Sequence, residues 1–446
     1  MRSVQFFPDL IGGKNVKYTV KEVLQFVEGN DVKFVRLVFF DIFGIKKNLS
    51  IMASELKNAF EKGIYISAGN IDGFADKGHG DLLLFPDPNT LKVLPWRPQQ
   101  GAVIRLLCDI RYPDGKRFPC DVRTVLKRAM LQANEKGINC FASTRCEFYL
   151  FRLDDDGCPT RIPQDNAGYL DIAPLDRGED VRRQICLTLE DMEIAPVSSH
   201  HDIGPGQNEI EFRYNDLISA ADDINTFKSV VKTAAASNGL YASFMPKPVA
   251  GCHGSGMYTG LIVRKYKENL FSMNNKQLSP TARSFIAGIV RRAPEMMLFL
   301  SPLSNSYARL TGDNTPDRAS WSFDNEHSFV RLMLAQTDKA RLEFRTPDPS
   351  CNLYLGLALL LFAGLEGIED ELELCSPDSA ESPCGEPLPR SLADAVQAVQ
   401  GSEFIRKYIP QKILSGYISK KREEIDRSLE SPEYRQHLDD RLFELI

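Results

Sequence analysis

Glu209-Ile-Glu211-Phe-Arg213 alternates charged and apolar side chains, and two other runs repeat the pattern, Arg145-Cys-Glu147-Phe-Tyr149 and Arg341-Leu-Glu343-Phe-Arg345. Successive side chains of a strand point to opposite faces, so each run carries an apolar side and a charged side. Arg145 and Glu147 therefore share a face, and so do Arg341, Glu343 and Arg345. One charged face is ordinarily just hydrated. Three of them, with His200-His201-Asp202 upstream, can line a sheet with acids and arginines and hold a cation through oxygen ligands.

Amphipathic helices are expected between these strands, over Val122–Lys136, Glu179–Met192, Ser219–Ser237 and Pro280–Arg292. The strands are short and separated by long excursions, which points to an α+β domain rather than a doubly wound sheet. Upstream lie a helical segment (Val20–Val27), a strand (Lys33–Asp41), a turn through Gly44 and a second strand near Lys47–Ile51. A Gly- and Asp-rich loop (Ser67–Asp81) and the segment LLLFPDPNTLKVLPW complete a small unit ending near residue 105. The chain thus divides into 1–105 and 106–446. Ser376–Pro389 has the composition of a surface loop, and Leu392–Val399 and Ser402–Ile446 read as helical with charged outer faces.

Composition excludes several classes of function. At 446 residues the chain is too long for one core. A net charge of −6 without basic blocks argues against a nucleic-acid partner. The apolar stretch Leu355–Leu365, broken by Gly356 and Gly364, is too short to cross a bilayer and reads as a buried helix, so no membrane partner is expected. The opening residues MRSVQFFPDLIGGKN lack the pattern of a signal peptide. Ten cysteines occur without a CxxC pair, so neither a zinc ribbon nor a disulfide framework is expected; reduced thiols and a cytoplasmic location follow. Pro246 and Pro248 stiffen the start of Phe244–Met257, whose Gly254-Ser-Gly256 lacks the lysine spacing of a phosphate loop and reads by itself as a structural turn.

Five runs give this chain a family resemblance. Gly168-Tyr-Leu-Asp-Ile-Ala-Pro-Leu-Asp176, Ser199-His-His-Asp-Ile-Gly-Pro-Gly-Gln-Asn-Glu-Ile210, Phe244-Met-Pro-Lys-Pro248, Asn305-Ser-Tyr-Ala-Arg309 and Arg345-Thr-Pro-Asp-Pro-Ser-Cys-Asn352 follow one another in the order of the class I glutamine synthetase signatures. Phe39-Phe-Asp-Ile-Phe-Gly44 is similar to that family's N-terminal portion, and the likeness extends over roughly residues 18–446. The resemblance implies a small N-terminal β-grasp domain before a larger catalytic domain, and a homo-oligomer of two stacked hexameric rings, a dodecamer. It also implies ATP, Mg²⁺ or Mn²⁺, and a glutamate-like small molecule. The family's reaction phosphorylates the γ-carboxylate of glutamate and lets ammonia displace the phosphate, chemistry that depends on cations and oriented donors.

Carried over position by position, the resemblance is uneven. Glu147, Asp202 and Glu209 fall where the family binds one metal, with Asp202 in place of a glutamate. At the second metal only Glu343 remains, because Arg145 and Tyr258 replace a glutamate and a histidine. Arg145 is expected to pair with Glu343 in place of the missing ion, leaving one metal site. Asn314 aligns with the flap acid, Glu326 with a phosphate-binding arginine and His253 with a substrate-loop asparagine. Retained are Arg309 and Arg345 for glutamate, Arg331 for phosphate, Gly254 of the substrate loop, and Asp41, the ammonium-site aspartate given to a neighbouring subunit. The expected function is a glutamine synthetase scaffold lacking or weak in glutamate–ammonia ligation. The alternative is an active ATP-dependent carboxylate–amine ligase, glutamine- or γ-glutamyl-amine-forming.

Overall fold

Thr19 and Glu22 cap each other's backbone N–H groups and so start α1 (Val20–Gly29). The computed structural model describes residues 18–74, 80–97, 101–273, 277–312, 315–334, 340–378 and 384–446. After α1 come β1 (Phe34–Phe40), β2 (Lys46–Met52), α2 (Leu56–Lys62), β3 (Ile64–Ser67), β4 (Asp81–Pro86), β5 (Lys92–Val93) and β6 (Val103–Arg111). Among the described residues these strands form one sheet in the order β2-β1-β6-β4-β3, with β5 on β6. β1 is buried along most of its length on both faces, which explains its unbroken apolar run. Phe40 on β1 packs 5.1 Å from Tyr354 of the larger domain. β6 runs parallel to β1, pairing Leu106 with Leu37, so residues 105 and 106 both lie inside the first sheet.

The larger domain opens with α3 (Val122–Glu135), β7 (Ile138–Leu153), β8 (Pro159–Pro163), α4 (Glu179–Asp191), β9 (Pro196–His201), β10 (Gln207–Phe212), β11 (Asn215–Asp216) and α5 (Leu217–Ser237). It continues with β12 (Leu240–Ser243), β13 (Met257–Lys265), β14 (Glu268–Asn269), α6 (Pro280–Leu300), α7 (Ser304–Leu310), β15 (Trp321–Ser322), β16 (Val330–Met333), β17 (Arg341–Phe344) and α8 (Leu353–Glu369). α9 (Leu392–Gly401), α10 (Glu403–Tyr408), α11 (Gln411–Glu430) and α12 (Pro432–Leu445) close the chain. The second sheet has the spine β15-β16-β17-β13-β7-β10-β9, mostly antiparallel. The two domains are therefore a β-grasp unit and an α+β unit, as expected from the sequence.

Arg123, 1% exposed, fastens the units together: its guanidinium donates to Asp222 on α5 at 2.8 Å and to Asp109 on β6 at 3.0 Å. Behind the large sheet, α8 is buried almost throughout, and its apolar run is a core helix. It crosses α6 at glycines: a Cβ on Gly288 would meet the Ala363 carbonyl oxygen at 2.1 Å and one on Gly367 the Ser284 carbonyl oxygen at 2.1 Å. α6 also runs past Arg292, through Pro294, to Leu300. Burial of Met296, Met297, Leu298 and Phe299 outweighs the hydrogen bond that Pro294 cannot donate. No described helix is long and apolar enough to cross a membrane.

The cysteine reading needs correction. Cys375 and Cys384 are joined in a disulfide, while the eight other cysteines are free thiols. Their nine-residue separation gives no local signal; the chain is turned back by contacts made elsewhere. Trp321 donates its indole N–H to the Cys375 carbonyl, and the Cys384 N–H donates to Asp378.

Candidate active site

Strand register assembles the charged faces into one cleft. β7 lies between β10 and β13, and its pairing sets Glu209 opposite Glu147, Glu211 opposite Arg145, and Tyr258 opposite Arg145. β9 adds His200 opposite Glu209. On the other side, β17 places Glu343 opposite Arg331 of β16. These faces surround a cleft of about 490 Å³, lined also by Asp202, His253, Gly254, Glu326 and Arg345. The alternation seen in the sequence therefore becomes a row of acids at one end and interleaved arginines at the other.

Glu147, Asp202 and Glu209 form the acidic end, all three nearly inaccessible to water. Glu147 accepts from the Gly256 N–H at 2.8 Å and the Gln207 amide at 3.1 Å. Burial, then the charges of Asp202 and Glu209, push its carboxyl well above the usual range. Burial likewise raises Asp202, and lifts Glu209 to about 7. Three desolvated carboxylates that raise one another are chemically suited to a hard divalent cation, whose charge would remove that repulsion. Their chemistry suits such an ion, although their carboxylate oxygens are not among the described groups that converge within 4.8 Å.

The second cation position does not fit an ion. Arg145 holds Glu343 at 3.3 Å through one N–H contact, and its guanidinium carbon lies 4.9 Å from the centre of the Tyr258 ring. Arg345 covers the same ring at 4.6 Å, so both guanidinium groups lie against Tyr258. Burial opposes the charge of Arg145, but the fields of Glu343 and Glu209 outweigh it and hold the group protonated. A dication entering here would face a fixed positive charge with one carboxylate left to bind it.

At the arginine end, Glu326 bridges Arg331 at 2.9 Å and Arg345 at 3.2 Å. Arg309, 6% exposed, is occupied differently: it donates to the carbonyls of Arg345 and Thr346 and braces the backbone beneath the cleft. Gly254 is required by its surroundings, since a Cβ there would meet Arg309 Cγ at 2.5 Å and the Pro246 carbonyl at 2.6 Å. Its loop is fixed from below, with Tyr149 donating to the His253 carbonyl at 2.6 Å and Gln207 to the Gly254 carbonyl at 3.1 Å. Asp41 stands apart from the cleft lining, in the turn after β1, where its carboxylate accepts from the Phe43 and Ile45 N–H groups. Asn314 lies outside the described residues.

Two features escaped the sequence reading. Gln207, which donates to Glu147, falls in β10 at the same parity as Glu209 and Glu211, so the two-residue period could have identified it. His201, adjacent to His200, turns away and bonds Asp165 at 2.9 Å in a buried cluster with Asp176 and Arg182. Among the described residues, Asp165, Asp176 and His201 form the group of ligand-type side chains whose donor atoms all lie within 4.8 Å. They are not free for a cation: Asp176 is paired with Arg182 at 2.5 Å, Asp165 accepts from the Gly206 and Arg177 N–H groups, and both ring nitrogens of His201 are engaged. This cluster is a braced polar core.

Comparisons with known proteins bear on the fold and the family. Residues 31–113 match the family profile described as glutamine synthetase, beta-Grasp domain, and residues 119–437 that described as glutamine synthetase, catalytic domain. A glutamine synthetase of Clostridium saccharobutylicum is 40% identical, covering 92% of this chain and 96% of that one. One from Methanosarcina mazei is also 40% identical, covering 92% and 95%. A solved GmaS–ADP complex superposes with a TM-score of 0.83 at 29% identity, covering 94% of this chain and 99% of that one. The Plasmodium falciparum glutamine synthetase shares the fold, with a TM-score of 0.86 at 23% identity and coverage of 98% and 100%.

Proposed function

Because the chain belongs to the glutamine synthetase family, we propose that it retains that family's scaffold, one cation site and an acid-binding cleft, while being weak in or devoid of ATP-dependent glutamate–ammonia ligation. The observation that carries this reading is the Arg145–Glu343 pair at 3.3 Å, set against Tyr258 where a second ion would be needed. Phosphoryl transfer between anions relies on positive charge spread over both reacting groups. A divalent cation held by Glu147, Asp202 and Glu209 would supply part of it. Arg145 supplies a fixed charge, but its partner Glu343 already spends it, and Glu326 spends much of Arg331 and Arg345. Losses that concern one transition state are not compensated singly.

Under this reading Arg345 and Arg331 orient an acidic ligand, Gly254 lets the loop approach it closely, and Arg309 positions Arg345 from behind. Asp41, remote from the cleft of its own chain, acts on a neighbouring subunit's cleft in a ring assembly. A second reading, an active carboxylate–amine ligase, is supported by the 40% identity to chains named glutamine synthetase along 92% of this sequence. One experiment separates the two. The purified protein is incubated with ATP, Mg²⁺ or Mn²⁺, glutamate and a panel including ammonia and small primary amines, and ADP release is followed. Amine-dependent turnover well above background rejects the first reading; glutamate and metal binding without turnover supports it.

A further inference from the structure

Glu326 sits in the turn between β15 and β16, five residues before Arg331, and spans two guanidinium groups with one oxygen on each. The members of this cluster differ in how firmly they are held. Arg345 is 14% exposed and pinned against Tyr258, and Arg331 is 22% exposed, its buried Nε lacking a hydrogen-bond partner. Glu326 is 57% exposed, and among the described residues its carboxylate is held by the two arginines. The turn below does not depend on its side chain, because Asn325 fixes it through Ser322, His327 and Asp378. Glu326 can swing into water at smaller cost than either arginine, whose side chains are the more buried.

We infer that Glu326 is a tethered carboxylate that occupies the cleft's acid-binding pair, Arg331 and Arg345, and that a small carboxylic acid enters by displacing it. The inference deepens the proposed acid-binding cleft and rests on that reading, but it concerns binding alone. A tethered group competes at an effective concentration on the order of millimolar, so an acid ligand meets a standing intramolecular competitor. Two separated donors, one per oxygen, favour a planar carboxylate over a lone point charge. The other nearby carboxylate, Glu343, is held by Arg145 at 3.3 Å.

The test is calorimetric titration of the full-length protein, without ATP, using L-glutamate, glutarate and inorganic phosphate as separate probes. Glu326→Gln should tighten L-glutamate and glutarate by about tenfold or more, and Glu326→Asp, too short to span both arginines, should give a smaller gain. Thermal unfolding of each variant confirms that it folds. Unchanged or weaker binding of both acids in Glu326→Gln overturns the inference, as does tightening confined to phosphate. Turnover with an amine would reject the proposed function yet leave this result standing, so the two fail separately.

Discussion

Arg145 concentrates the chemical argument in one side chain. A guanidinium and a dication cannot share Glu343 without strong repulsion at a distance of a few ångströms, even with partial screening. Reversing that charge should reopen the position. In the double variant Arg145→Glu, Tyr258→His, Mn²⁺ binding followed by electron paramagnetic resonance is expected to rise from one ion per chain to two. If the stoichiometry stays at one, the second site is missing for a reason other than Arg145. Glu326 belongs to the same scale, since its substitution should release Arg345 for a carboxylate ligand.

Elements decide how well such side chains are aimed. The cleft exists because β7 pairs with β10 and β13 in a register that aligns Glu147 with Glu209 and Arg145 with Tyr258; a one-residue slip would send every charge to the core. The α6–α8 crossing behind it leaves no room for a methyl group, so Gly288→Ala is expected to cost about 2–4 kcal/mol. Urea unfolding measures this, and a neutral result would mean that the helices separate freely. The β1–β2 turn makes a prediction about pH. Burial raises the Asp41 carboxyl from 3.8 to about 6, so between those values the native state keeps a proton that the unfolded chain has lost. Stability therefore falls as pH rises through that window, and the full cost is present above pH 6. Asp41→Asn, which can still accept from Phe43 and Ile45, should reduce the stability difference between pH 4 and pH 7 by about 2 kcal/mol. An unchanged difference would assign the pH dependence to other groups.

For the whole molecule, the separation of Asp41 from the cleft has a consequence for assembly. If Asp41 serves a neighbour, the protein works as a ring, and light scattering should give a mass near twelve chains. A monomer at micromolar concentration would remove that role. Arg123 of α3 pairs with Asp109 on β6 and so holds the β-grasp unit, which carries Asp41, against the larger domain.

The sequence by itself determined what alternation and order can carry. It held the charged faces of β7, β10 and β17, the buried character of α8, the α+β class and the family, because side-chain period and signature order are local or linear properties. The family resemblance set Arg145 and Glu343 in one site, paired or with Arg145 turned to solvent, and the fold shows them paired. Tertiary structure alone decided that Glu326 spans Arg331 and Arg345, that Arg309 braces backbone, that His201 joins Asp165, and that Cys375 meets Cys384. Each of these depends on which of several reachable partners lies within about 3 Å once the chain is folded, and distance between remote segments is not encoded in any one of them.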